Sequence, residues 1–110
     1  MEENEMDWKI RDFIKELSKV DGLQNVFNQY SDNHAYNSVR RTNLHIYLDL
    51  MNQIKPEVML VGVAPGYHGC RFTGVPFTSE HILVNGLGKD ILFGKGKGYM
   101  KTRELAKIKK

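Results

Sequence analysis

A short apolar run at residues 58–61 constrains the fold of this chain more than any other feature. The run extends from Val58 to Val61 and is followed directly by Gly62. Short apolar runs that contain β-branched residues and end at glycine are typical of strands buried on both faces of a parallel sheet. Parallel strands need crossover connections, which are usually helices. The run therefore predicts an α/β fold.

Two segments before this run have apolar residues at helical spacing. The first covers residues 7–20 and is ended by Asp21 and Gly22; its apolar positions are Ile10, Phe13, Ile14 and Leu17. The second covers residues 38–54 and ends before Pro56, because the residue before a proline avoids the helical region. Both segments are predicted to pack against a sheet.

A loop rich in glycine and proline follows the apolar run, with Gly62, Pro65, Gly66, Gly69 and Gly74. Open α/β sheets bind ligands just beyond the carboxyl ends of their strands. Glycines there allow backbone N–H groups to approach an anion or a planar base, although a tight connection is the alternative interpretation. The lysine and hydroxyl pair of the phosphate loop and the dinucleotide pattern are both missing, which argues against a nucleoside triphosphatase.

Two parts of this loop resemble the signature motifs of the uracil-DNA glycosylase superfamily. Residues 61–67 (VGVAPGY) resemble its first motif, and residues 74–78 (GVPFT) resemble the G-x-P-F segment that follows. Residues 40–48 look like the helix that precedes the first strand in bacterial members. The resemblance implies a three-layer α/β/α fold with a parallel sheet. Residues 1–110 would form the N-terminal portion of that domain, with its helices, first strand and glycine loop.

The resemblance also implies a pocket for a flipped nucleobase. Phe77 matches the aromatic residue that stacks on the base, whereas a core phenylalanine after a turn is the alternative. The backbone that would lie along the base and the attacking water belongs to Gly62, Val63, Ala64, Pro65 and Gly66. Val63 and Ala64 occupy positions where related families have carboxylate or amide side chains, so these two residues cannot perform acid–base chemistry.

Glu80 is the candidate catalytic residue. It lies in residues 76–80 (PFTSE), where families with an alanine-type motif resemble P-F-T-G-D and have a carboxylate. Such a carboxylate stabilises the oxocarbenium-like sugar and orients water. The alternative is a glutamate in the first turn of a helix capped by Thr78 or Ser79.

The expected function is hydrolysis of the N-glycosidic bond of uracil, or a related damaged base, in DNA. One alternative is a nucleic-acid-binding module without catalysis, which Ala64 favours; another is a truncated reading frame without a stable fold. No cofactor or metal is expected, because one cysteine cannot supply the four-cysteine iron–sulfur cluster of some members. The four histidines also lack metal-ligand spacing.

The second signature of the family is a loop containing a His-Pro pair, and no such pair occurs in this chain. Two accounts follow: the N-terminal part of a longer enzyme, or a small domain that lost catalysis. The first is favoured, because the apolar run at 58–61 needs partner strands.

Composition and charge restrict the cellular setting. The chain is 41% hydrophobic and 26% charged, as in globular proteins, and it contains no apolar run of about 18 residues. The acidic N-terminus is unlike a signal peptide, and the single cysteine suits a reducing compartment. A cytoplasmic monomer is expected. The net charge is +3. Residues 99–110 form a basic tail that either binds along the phosphates of a nucleic acid or is simply solvated and flexible.

Overall fold

The computed structural model of this protein describes residues 5–21, 27–88 and 91–102. These ranges contain four helices: α1 (Glu5–Ser18), α2 (Ala35–Ile54), α3 (Cys70–Thr73) and α4 (Glu80–Asn85). No strand forms within them. The predicted α/β/α fold with a parallel sheet is therefore wrong, and the described chain is all helical. Nor does any helix in these ranges have the length and apolar character needed to cross a bilayer.

The apolar run at residues 58–61 is the cause of this error. Its four side chains lie in irregular backbone at the surface and are between 76% and 83% exposed. A strand must pair its N–H and C=O groups with those of a neighbouring strand. No described residue provides that neighbour, so the local preference for β structure does not produce a sheet.

Helix α1 packs against the middle of α2, at Leu44, Tyr47 and Leu48. Ile10 and Ile14 are buried against Leu44, as the predicted apolar stripe requires. Phe13 belongs to the same predicted stripe but is more than half exposed, so the buried face of α1 is narrower than predicted. The end of α1 is closed by Asn28, whose Nδ2 donates to the carbonyls of Leu17 at 2.7 Å and Val20 at 3.0 Å.

Helix α2 begins three residues earlier than the sequence pattern predicts, at Ala35. His34 caps it, because its Nδ1 accepts the N–H of Tyr36 at 3.1 Å. The helix ends as predicted before Pro56: Lys55 takes a left-handed conformation with φ 57° and donates its N–H to the carbonyl of Met51. This long helix contributes residues to two hydrophobic clusters of the described chain.

The second cluster packs against Ile46, Tyr47 and Leu50 of α2. Val75, Leu83 and Tyr99 are buried there, and Tyr47 packs against this cluster as well as the first. Tyr99 and Thr102 are both buried, so residues 99–102 of the predicted tail pack against the helices. Residues 103–110 of that tail lie outside the described residues.

Candidate nucleic-acid interface

The two motifs of the resemblance meet at Gly62 and Phe77. A β-carbon added to Gly62 would lie 3.3 Å from Cζ and 3.6 Å from Cε1 of the Phe77 ring. Any side chain at position 62 would therefore press on that ring. The absence of a side chain lets the backbone of the first motif lie against the edge of the aromatic residue of the second.

Phe77 is held at the surface in a strained conformation. Its side chain is 71% exposed, so it is not a core phenylalanine. Its φ of 59° is left-handed, which costs a non-glycine residue about 1–2 kcal/mol. Strain of this kind persists only where the surroundings enforce it, and it is concentrated at functional sites.

The turn that enforces this conformation is built on Thr73, which is fully buried at the end of α3. Its Oγ1 accepts the N–H of Val75 at 3.0 Å and lies 3.0 Å from the carbonyl of Thr78. The Thr78 hydroxyl in turn donates to the carbonyl of Pro76 at 2.9 Å. Residues 73–78 are thus tied to each other on both sides of Phe77. Thr73 was not predicted from the sequence, although the Thr-Gly pair at 73–74 is a turn signal.

The backbone of the first motif is open to solvent. All five residues predicted to line the base pocket are exposed, and these are Gly62, Val63, Ala64, Pro65 and Gly66. A β-carbon added to Gly66 would meet nothing within 4 Å. The carbonyl of Gly66 accepts the N–H groups of Gly69 and Arg71, both at 3.2 Å, which anchors the loop to the start of α3.

A cationic and aromatic cluster follows the motif and was missed by the sequence analysis. The guanidinium carbon of Arg71 lies 4.8 Å from the centre of the Tyr67 ring and 5.2 Å from that of Phe72. Tyr67 is exposed, and its ring also contacts His68 edge-on at 4.8 Å. The interleaving of aromatic and basic residues at 67–72 was the available signal, since such surfaces stack on bases.

Glu80 lies apart from this surface in the contacts that the structure describes. It occupies the first turn of α4 after Ser79, whose Oγ accepts the N–H of Ile82 at 3.2 Å. This is the position that the helix-cap interpretation predicts. The Glu80 side chain is buried, and its Oε2 accepts the N–H of Thr102 at 2.7 Å and the Thr102 hydroxyl at 3.4 Å. The structure thus brings Phe77 to Gly62 but directs the carboxylate to residues 99–102.

Within the described ranges, no group of three or more histidine, cysteine, aspartate or glutamate side chains is arranged to hold a metal ion.

The chain matches no protein-family model, and no significant match appears among curated proteins or solved structures. The resemblance to uracil-DNA glycosylases therefore depends on the motif residues alone.

Proposed function

We propose that this chain forms the base-binding part of a DNA glycosylase, an enzyme that hydrolyses the N-glycosidic bond of uracil or a related damaged base. A uracil-containing DNA strand and a cytoplasmic setting belong to the same proposal. The observation that carries it is the exposed ring of Phe77, held in a left-handed turn beside Gly62. A costly backbone conformation that exposes an apolar ring needs a reason outside folding stability.

Stacking of a nucleobase on the Phe77 ring would explain why this ring is exposed. A nucleobase extruded from a strand exposes two apolar faces, and stacking on an aromatic side chain contributes about 1–3 kcal/mol per base. Phe77 provides such a ring at the surface. The backbone at Gly62 and Gly66 has no side chain of its own to block the approach of the base, so the hydrogen-bonding edge of the base can come close to this loop.

The hydrolytic step is proposed for Glu80. As the glycosidic bond breaks, positive charge develops on the sugar, and a carboxylate stabilises that charge and orients the attacking water. In this structure the carboxylate binds Thr102. That contact has to open before Glu80 can reach a substrate at Phe77.

The Glu80–Thr102 contact favours a second candidate function, in which the chain binds a base without cleaving the bond. In that case the carboxylate is a structural acceptor that fastens residues 99–102 to α4. Ala64 is consistent with this candidate, because it replaces a water-orienting side chain with a methyl group.

Replacing Phe77 with glycine separates the role of the ring from the stability of the fold. Glycine adopts positive φ without strain, so we expect the free energy of unfolding to stay equal or rise by up to about 1 kcal/mol. Loss of stacking is expected to weaken binding of a uracil-containing single strand by roughly 5- to 100-fold. Urea denaturation and fluorescence anisotropy measure the two effects.

Phe13→Ala is the matched control, because Phe13 is also more than half exposed but lies on α1. It should leave affinity unchanged. Native affinity in the Phe77→Gly variant would remove Phe77 from the binding site.

Replacing Glu80 with glutamine tests the chemistry. An amide oxygen still accepts the Thr102 N–H, so the fold should persist, and affinity for the uracil strand should be retained. The rate of abasic-site formation is expected to fall on the order of 100-fold or more, because the charge that stabilises the transition state is lost. Alkaline cleavage of a labelled oligonucleotide measures that rate.

Glu16→Gln, an exposed change on α1, is the control for a lost negative charge. Normal turnover by the Glu80 variant would exclude Glu80 from the mechanism. Tight binding by the native chain with no abasic product would support the second candidate function instead.

A further inference from the structure

A groove of about 870 Å³ lies next to the first motif. Its walls come from the end of α1, from residues 27–34, from the first turns of α2 and from Arg71 in α3. Pro65 of the motif forms part of the same wall. The groove therefore adjoins the loop proposed to receive the base, and one ligand can contact both.

The described charges on this groove favour an anion. Lys19, Arg40 and Arg71 contribute positive charge to the wall, whereas Asp21 and Asp32 contribute negative charge. Asp32 and Lys19 each have a partner of opposite charge: Asp32 Oδ1 lies 3.4 Å from Nη1 of Arg41, and Lys19 Nζ lies 4.0 Å from Oε1 of Glu16. The other charged residues of the wall are Arg40, Arg71 and Asp21, so positive charge is in excess. The remaining wall is rich in amide and hydroxyl groups that can hydrogen-bond a polar ligand; they belong to Asn28, Gln29, Ser31, Asn33 and Asn37.

Arg71 has hydrogen-bonding capacity that the fold leaves unused. Its Nη1 is buried and has no hydrogen-bond partner in the described structure. A buried donor without a partner costs about 1–3 kcal/mol, and more when it is charged. The guanidinium is kept in place by packing over the Tyr67 and Phe72 rings.

Arg40 holds the backbone of Arg71 in place through a hydrogen bond. It is buried, its Nε donates to the carbonyl of Arg71 at 2.7 Å, and its Nη1 donates to Oδ1 of Asn37 at 2.6 Å. Together these two hydrogen bonds join the start of α2 to the backbone of Arg71. Arg71 itself lines the groove, and the planar fork of its guanidinium matches phosphate oxygens.

We propose that this groove binds the phosphodiester backbone of single-stranded DNA beside the flipped nucleotide, with Arg71 as the principal contact. The inference rests on the proposed function, because Pro65 joins the groove to the motif loop. It adds a backbone-binding site that contributes affinity whether or not a base occupies the Phe77 position.

The test compares two fluorescently labelled single strands of equal length by anisotropy at several salt concentrations. One is an oligodeoxyuridylate, and the other has an abasic analogue at every position. Arg71→Gln is expected to weaken binding to both strands by about 10-fold and to reduce the slope of log affinity against log salt by about 0.7. Lys9→Gln removes the same charge from the exposed surface of α1 outside the groove, and it should leave both values unchanged.

Arg71 also packs on two rings, so thermal unfolding must show that its variant is folded. Lys19→Gln gives an independent test, because this side chain is 59% exposed and lines the same groove; it should weaken both strands by a smaller factor. If neither variant weakens the abasic strand relative to Lys9→Gln, the groove proposal is overturned.

Failure of the two proposals is distinguishable. If the groove is correct and the base site is wrong, the Arg71 variant weakens binding of both strands, and Phe77→Gly weakens binding of neither. If the base site is correct and the groove is wrong, Phe77→Gly weakens binding of the oligodeoxyuridylate alone, and the Arg71 variant weakens binding of neither strand.

Discussion

Replacing Gly74 with alanine is expected to lower the free energy of unfolding by about 2–5 kcal/mol, the sum of a strained backbone and an overpacked contact. Small domains are stable by only about 5–15 kcal/mol. This single methyl group should therefore remove much of the stability of the chain.

The expected loss follows from where Gly74 lies. Its φ is 77°, and an added β-carbon would lie 2.6 Å from the carbonyl oxygen and 2.8 Å from the Cα of Arg40. Those atoms are backbone atoms of α2, so they cannot rotate away as a flexible side chain would. Gly74 also ends α3 by donating its N–H to the carbonyl of Cys70 at 2.8 Å, and its own carbonyl accepts the Tyr30 hydroxyl at 2.7 Å. A displacement of Gly74 away from Arg40 would disturb both hydrogen bonds.

Urea denaturation followed by circular dichroism measures this change. Gly96→Ala is the matched control, because Gly96 has a φ of 87° but no atom within 4 Å of the added β-carbon. The free energy of unfolding of this variant should fall only by the cost of a positive φ for alanine, about 1 kcal/mol. Equal losses in the two variants would show that α2 does not lie against Gly74 as described.

Replacing Asn43 with alanine is expected to lower the free energy of unfolding by about 3 kcal/mol, because it leaves buried backbone groups without partners. Asn43 is fully buried on α2. Its Nδ2 donates to the carbonyls of Thr73 at 3.0 Å and Met100 at 2.9 Å, and its Oδ1 accepts the Met100 N–H at 3.0 Å. One side chain thus ties α2 to the end of α3 and to residues 99–102.

Gln53→Ala is the control on the same helix, since Gln53 is exposed near its end. It should change stability by less than about 0.5 kcal/mol. The two variants are compared at the same urea range and temperature. A loss in Asn43→Ala no larger than that of the control would contradict the hydrogen bonds described for this residue.

The two long helices of this protein are predictable from local sequence because their determinants are local. Ile10, Ile14 and Leu44 follow the 3.6-residue period, and their side chains are buried as that period requires. Pro56 marks the end of α2 because a proline restricts the residue before it. Ser79 was one of two predicted caps for a helix beginning at Glu80, and it forms that cap.

The strand prediction is wrong for the opposite reason. An apolar run such as 58–61 has a preference for β structure, but that preference becomes a sheet only when a second strand supplies hydrogen bonds. Whether a distant segment does so is not encoded within the run. A correct local preference was therefore combined with an incorrect inference about the rest of the fold.

By itself the sequence determined that two long segments are helical, that the second ends before Pro56, and which motif residues resemble a nucleobase site. Only the tertiary structure decided that Phe77 stays at the surface beside Gly62, that Glu80 binds Thr102, and that Arg40 and Arg71 share a groove wall. The physical reason is the sequence separation over which each kind of interaction acts. Helical periodicity and capping act over a few neighbouring residues, whereas these pairings join residues from different segments, and packing selects them only when the whole chain has folded.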